Sequence, residues 1–199
     1  MSNREMVTAY VAKRLEQWEN ARGEHSVRAD LANLRRGTNK RPGELPELWG
    51  LLFRDLPEEL MSKTGEPTWA EWAIGGALTL YALHRQGAAS SAHKKGQQLG
   101  TAIGQLATSG EGRFDAVQRR FITFATARTM PERMHHLRGL ICQLRSEDIP
   151  LDYVALAGDL YDCQTPDGAA KARLRWGQDL YRTALPPKPN KEREDNDHE

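Results

Sequence analysis

The chain has 199 residues, enough for one large domain or two small ones. Its 28 Lys and Arg face 27 Asp and Glu, a formal charge of +1, so the total does not point to nucleic acid and only local clustering of like charges can. Two cysteines without a C-x-x-C pair exclude a disulfide scaffold, and no run approaches the ~18 apolar residues of a membrane span. The polar N-terminus carries no signal-peptide core, so the expectation is a cytoplasmic protein with no membrane partner.

The first predicted helix covers 3–20, where Val7, Tyr10, Val11, Leu15 and Trp18 recur at helical spacing and make one apolar face. Arg22-Gly23 breaks it. Ser26 is placed to cap a second helix whose buried side is Val27, Leu31 and Leu34. Arg28 and Arg35, seven residues apart, share a flank of that helix with Arg36 beside them, and Gly37 is expected to end it in a left-handed conformation. The loop 37–46 adds Lys40 and Arg41. Five basic residues and one acid, Asp30, make 28–41 the most positive short segment: either a solvated helix end or an edge that contacts phosphate. The segment 48–56, LWGLLFRDL, reads as a short helix buried on several sides. A longer helix over 68–86 lies between Pro67 and Gly87, with Trp69, Trp72, Ile74, Leu78, Tyr81 and Leu83 covering a wide arc. Gly75-Gly76 in its middle costs roughly 1 kcal/mol per glycine, which a close helix crossing would explain. A cofactor-binding loop does not fit, because no strand precedes the pair and the GxGxxG spacing is absent.

The segment 87–95, GAASSAHKK, is a loop that exposes Lys94 and Lys95. A short helix over 96–108 turns Leu99, Ile103 and Leu106 inward, and Ser109-Gly110-Glu111-Gly112 is the best domain-boundary candidate. The next helix, 113–128, has Phe114, Val117, Phe121 and Phe124 as its core stripe, and Arg113, Arg119 and Arg120 beside it. Thr129 and Pro131 start another helix, with Met134, Leu137, Ile141 and Leu144 facing in and His135, Arg138, Cys142 and Arg145 on a neighbouring stripe. After Pro150 a helix carries Leu151, Val154, Leu156, Leu160 and Tyr161; Thr165-Pro166-Asp167-Gly168 is a predicted turn. In the last helix, 169–185, Trp176, Leu180 and Ala184 lie on one side and Lys171, Arg175, Gln178 and Arg182 on another. No alternating strand pattern appears. The predicted fold is all-α, two packed helical bundles, the C-terminal one resembling a four-helix bundle. The expected division is 1–108, 109–185 and a charged tail, 186–199, too polar to fold.

The sequence offers little for catalysis. His135 and Cys142 stand two turns apart and cannot chelate one ion alone, and structural zinc sites use close ligand pairs. Asp152 and Asp159 share a helix face, but nearby arginines make salt bridges their expected fate rather than a nuclease metal site. No phosphate-cradling glycine loop with lysine is present, nor a helix pair with an exposed recognition face. No enzyme activity, metal or cofactor is expected. What remains is arginine placement: several basic stripes in a chain of near-neutral total charge imply separated positive and negative surfaces, and arginine's planar fork suits phosphate oxygens. Such binding reads backbone rather than sequence and weakens with salt.

In order, the segments ADLANLRRG (29–37), LWGLLFRDLP (48–57), RRF (119–121), LRGLICQLRSEDIPLDY (137–153), DLYDCQ (159–164) and RLRWGQDLYR (173–182) together resemble the CasB family, the small subunit of the type I-E CRISPR complex Cascade. The resemblance covers most of 26–183, and its most specific piece is LRWGQDLYR following IPLDY. A cysteine stands in DLYDC where the family pattern suggests tryptophan, a departure that concerns packing. The resemblance implies an all-helical, non-catalytic subunit that sits as a pair in the complex. Its neighbours would be the CasC backbone and the CasA large subunit. A basic surface would stabilise the guide RNA–target DNA hybrid and the displaced strand. It makes Arg28, Arg35, Arg36, Lys40, Arg41, Arg119, Arg120, Arg138, Arg145, Arg175 and Arg182 candidate nucleic-acid contacts. A structural spacer whose arginines meet protein partners is the alternative.

Overall fold

Side-chain caps fix where most of the helices begin. Ser2 and Thr68 each accept the amide of a glutamate three residues on, and that glutamate's carboxylate returns to the cap's own amide, closing a capping box. Thr129, Asp152 and Thr165 cap three further helices through their side-chain oxygens. The structure, a computed structural model, describes residues 1–21, 24–88 and 91–185; the expected break at Arg22-Gly23 and the tail 186–199 lie outside the described residues. Among the described residues the elements are α1 (Asn3–Asn20), α2 (His25–Arg36), α3 (Trp49–Leu52), α4 (Trp69–His84), α5 (Leu99–Thr108), α6 (Phe114–Thr126), α7 (Met130–Ser146), α8 (Tyr153–Asp162) and α9 (Pro166–Ala184).

The fold is all-α and built from two packed bundles, as the periodicity predicts. One contains α1–α4 and α8; the other contains α5, α6, α7 and α9. The chain therefore changes bundle between α4 and α5, again between α7 and α8, and again between α8 and α9. Helix α5, which precedes the expected boundary at 109–112, packs along α9. The cause is Gly100 and Gly104, one turn apart: a Cβ on Gly100 would stand 2.4 Å from the Trp176 carbonyl, and one on Gly104 would stand 2.9 Å from the Leu180 carbonyl. The two backbones touch at these glycines. Gly76 serves the other junction, where a Cβ would meet Met134 Sδ at 2.9 Å and Leu160 Cδ1 at 3.2 Å, so α4 crosses α7 and α8 closely. The expected close crossing is observed at Gly76, whereas Gly75 faces the side chain of Pro42 in a loop, 3.5 Å from where a Cβ would be.

The connections α4–α5 and α7–α8 run side by side. Leu151 N–H donates to Ala92 O at 3.0 Å, Lys94 N–H to Leu151 O at 3.1 Å and Asp152 N–H to Gln97 O at 2.8 Å, and the Asp152 carboxylate accepts Gly96 N–H at 2.7 Å. Backbone amides in these crossovers thus find partners between two buried bundles. A continuous apolar core runs through both, from Val7, Leu15 and Trp18 through Tyr81 and Tyr153 to Phe124 and Trp176.

Several local expectations differ. Ser26 is not the cap of α2; Glu24 precedes the helix without a side-chain cap bond, and Ser26 Oγ donates to its carboxylate at 3.3 Å. Gly37 has φ −79° rather than a left-handed angle, and its missing side chain makes room for Leu48, whose Cδ1 lies 2.4 Å from where a Cβ would be; the left-handed residue is Asn39, φ 67°. The predicted helix 48–56 shrinks to a 3₁₀ turn, Pro46–Leu48, and the single turn α3, because Asp55 takes φ 60° and ends it. Its Leu48, Leu52 and Leu56 are buried, but Trp49 is exposed. Thr165-Pro166-Asp167-Gly168 is a helix start rather than a turn: Thr165 caps, Pro166 fits the first helical position without needing its N–H, and Asp167 suits the positive end of the helix dipole.

Candidate nucleic-acid interface

Helix α2 buries Val27 and Leu34, and that choice turns Arg28 and Arg35 to one side. They border a groove of about 320 Å³ between α2 and the C-terminal end of α4, with Trp18 and Tyr81 beneath and Arg85, Gln86 and Gly87 opposite. The rings of Trp18 and Tyr81 stack at 6.1 Å and form a firm base. Among the described residues no acid lines this groove, and the guanidinium groups of Arg28 and Arg35 hold no hydrogen bond or ion pair. Gly87, at φ 74°, ends the wall by turning the chain away.

Gln86 links the groove to the second bundle. Arg145 on α7 donates to Gln86 Oε1 at 3.1 Å and to the Leu83 carbonyl at 3.4 Å, placing a cation on the negative end of α4. Arg138 lies two turns earlier on α7 and is exposed. On the other side of α7, exposed Arg120 of α6 donates to Gln143 Oε1 at 3.2 Å, and Arg119 next to it is exposed without a side-chain partner among the described residues. Arg28 and Arg35 on α2, Arg138 and Arg145 on α7, and Arg119 and Arg120 on α6 are thus cations that no carboxylate holds among the described residues.

The remaining candidates meet acids of their own chain. Arg36 pairs with Glu47 at 3.1 Å, Lys40 with Glu44 at 2.7 Å, and Arg41 with Glu66. On α9, Arg182 pairs with Asp179 at 3.3 Å and Arg175 with Asp159. Asp159 also accepts the indole N–H of Trp176 at 2.6 Å. Burial raises its pKa, while the Trp176 and Arg175 contacts oppose that rise. The structure therefore gathers the α2 pair with Arg145 around one groove end and puts the α9 pair on compensated ground.

Three groups escaped sequence reasoning. Arg85 joins the groove wall and donates to the Ala88 carbonyl at 2.7 Å; its place just beyond the last turn of α4 was the available signal. His84 is buried with Nδ1 2.9 Å from the Tyr153 hydroxyl, and burial, then the charge of Arg145, lowers its pKa to about 4. Arg133 is buried without a carboxylate partner. It donates to the carbonyls of Ala127 at 2.7 Å and Cys163 at 3.1 Å, just beyond the C-terminal ends of α6 and α8, where backbone dipoles favour a cation. Its spacing was the available signal: it stands four and seven residues before the buried Leu137 and Leu140, on the apolar face of α7.

Cys163 is likewise buried, with its thiol pKa pushed up to about 11, chiefly by burial, and so is unreactive. Among the described residues no group of three or more His, Cys, Asp or Glu is placed to hold a metal ion. The profile of the CRISPR-associated protein Cse2 family matches residues 30–181. The chain belongs to the Cse2/CasB family. It is similar to the crystal structure of CasB from Thermobifida fusca, at 32% identity over 88% of this chain and 98% of that one, TM-score 0.74. The fold also recurs in a Cse2-family protein of Thermus thermophilus (21% identity, 86% and 97% covered, TM-score 0.64). M. ruber CasB shares it too (22%, 92% and 94%, TM-score 0.65). A search of curated proteins matches none to this chain. Cse2/CasB membership supports a role in Cascade, and proteins of this family are non-catalytic scaffold subunits.

Proposed function

We propose that this Cse2/CasB protein is a nucleic-acid-binding subunit of Cascade. In that role it stabilises the guide RNA–target DNA hybrid and the displaced strand through the cationic path from α2 to α6. The observation that carries the reading is the groove of Arg28, Arg35 and Arg85, which no described acid lines and which Gln86 joins to Arg145. A path of unpaired guanidinium groups neutralises phosphates and releases counterions, whereas an ion-paired row offers less. The isolated protein is expected to bind single-stranded oligonucleotides of any sequence, with affinity falling steeply from low to physiological salt. Binding that is absent at low salt, or indifferent to salt, would overturn the reading. The Arg145→Glu variant should weaken binding without changing the far-UV circular dichroism.

The α9 face favours protein contacts instead. Leu174, Tyr181 and Leu185 are exposed along it, Ile122 of α6 is exposed too, and Arg175 and Arg182 are already paired. Protein interfaces combine exposed apolar side chains with compensated charge. This surface suits the other Cascade subunits, the CasC backbone, the CasA large subunit or the second copy of the pair. A Leu174→Asp variant is expected to impair assembly while leaving oligonucleotide binding intact.

A further inference from the structure

Helices α6 and α7 enclose a second open groove, about 340 Å³, lined by Arg120 and Thr123 from α6 and by His135, His136, Gly139, Leu140 and Gln143 from α7. Among the described residues no acid lines it. Its donors come from both walls: the Arg120 guanidinium, the Gln143 amide it touches, and two imidazole rings whose centroids lie 5.3 Å apart. Gly139 sits in the middle of α7, where glycine weakens a helix relative to alanine. A Cβ there would meet nothing within 4 Å, so packing inside the chain does not ask for glycine. The residue instead leaves the groove floor open to an approaching ligand.

We propose that this groove is a phosphate-binding subsite in which His135 and His136 act with Arg120, so that nucleic-acid binding tightens as the imidazoles take up protons. The proposal rests on the nucleic-acid reading above and adds a site and a pH dependence to it. A phosphate group presents acceptor oxygens only, and a protonated imidazole donates from both nitrogens, so protonation turns each ring from a neutral polar group into a cationic donor. The charged groups on the bordering elements are Asp115, Arg119 and Arg120 on α6, Arg128 between the helices, and Glu132, Arg133, Arg138 and Arg145 on α7. Of the two acids, Asp115 stands in the first turn of α6, and Glu132 stands one turn before His136, where its carboxylate accepts the Arg128 amide at 2.8 Å. The pKa of Glu132 is lowered chiefly by that bond, with His136 a minor contributor.

The test is binding of a single-stranded oligonucleotide by the full chain at pH 6 and pH 8 across a salt series, for wild type and for the double variant His135→Gln/His136→Gln. The wild type should bind more tightly at pH 6, with a salt slope steeper by about 0.7 for each histidine that pairs with phosphate. The double variant should lose that difference. Gly139→Leu should lower affinity at both pH values with thermal stability unchanged or raised, since leucine suits a helix interior better than glycine. Equal pH responses in wild type and double variant, with salt-sensitive binding intact, would overturn the histidine subsite alone. Loss of salt-sensitive binding in the wild type at both pH values would overturn the nucleic-acid reading beneath it.

Discussion

Arg28 and Arg35 on α2, and Arg175 and Arg182 on α9, repeat at the same seven-residue interval, yet the two rows end in different electrical surroundings. The α2 row borders a groove without described acids and joins Arg145 through Gln86. In the α9 row each guanidinium meets a carboxylate, Asp159 from the neighbouring helix and Asp179 from its own. Helical spacing decides which side chains share a face. Whether their charge remains available to a ligand depends on what the neighbouring elements put opposite them.

The largest effect lies behind the wall of the α2 groove, at His84. His84, next to Arg85, holds α4 against Tyr153 while neutral. The unfolded chain takes up a proton near the ordinary histidine value of 6.5, which the native state refuses until about pH 4. The unfolded state therefore binds more protons in that window, and stability falls as pH drops through it, by up to about 3 kcal/mol. Urea unfolding at stepped pH should show this slope, and His84→Asn should flatten it.

On the α9 side, Asp159→Ala should destabilise the protein by about 2–3 kcal/mol, because it leaves the buried Trp176 N–H without an acceptor. Asp159→Asn, which keeps an acceptor oxygen, should cost less in the same assay. A cost near zero for the alanine variant would mean that the α9 row is not tied down by this carboxylate.

Next in size is charge reversal at the free row. Arg28→Glu/Arg35→Glu should lower oligonucleotide affinity roughly tenfold or more at low salt and reduce the salt slope by about 1.4–1.8, two phosphate contacts' worth. The smallest effect belongs to the paired row: Arg182→Glu should change affinity by less than about twofold, as expected for an exposed cation already engaged by its own chain. If the two reversals had equal effects, the distinction between the rows would collapse.

The sequence made the helical class and most core faces legible. Val7, Tyr10, Val11, Leu15 and Trp18 are all buried on α1, as their spacing requires. So are Met134, Leu137, Ile141 and Leu144 on α7. The family was legible too, from LRRG, IPLDY and LRWGQDLYR read in order. Helix ends were harder to read. Gly37 looked like a left-handed stop but serves Leu48, and Thr165-Pro166-Asp167-Gly168 looked like a turn but starts a helix, because the same residue types suit both uses. The eleven candidate contacts were chosen for charge and spacing, and neither property reveals a carboxylate that arrives from elsewhere, as Glu66 does to Arg41 and Asp159 to Arg175.

The sequence by itself thus determined the elements: helical period, apolar stripe, capping residue and the face on which each arginine stands are all local, set by 3.6 residues per turn and the chemistry of a few neighbours. Tertiary structure alone decided which bundle each helix joins. Gly100 and Gly104 let α5 lie against the α9 backbone, and Gly76 lets α4 approach α7 and α8, contacts between residues far apart in the chain. It also decided which arginines keep an uncompensated charge, because a Coulomb interaction depends on separation in space and on the surrounding medium, and neither is written in the order of residues.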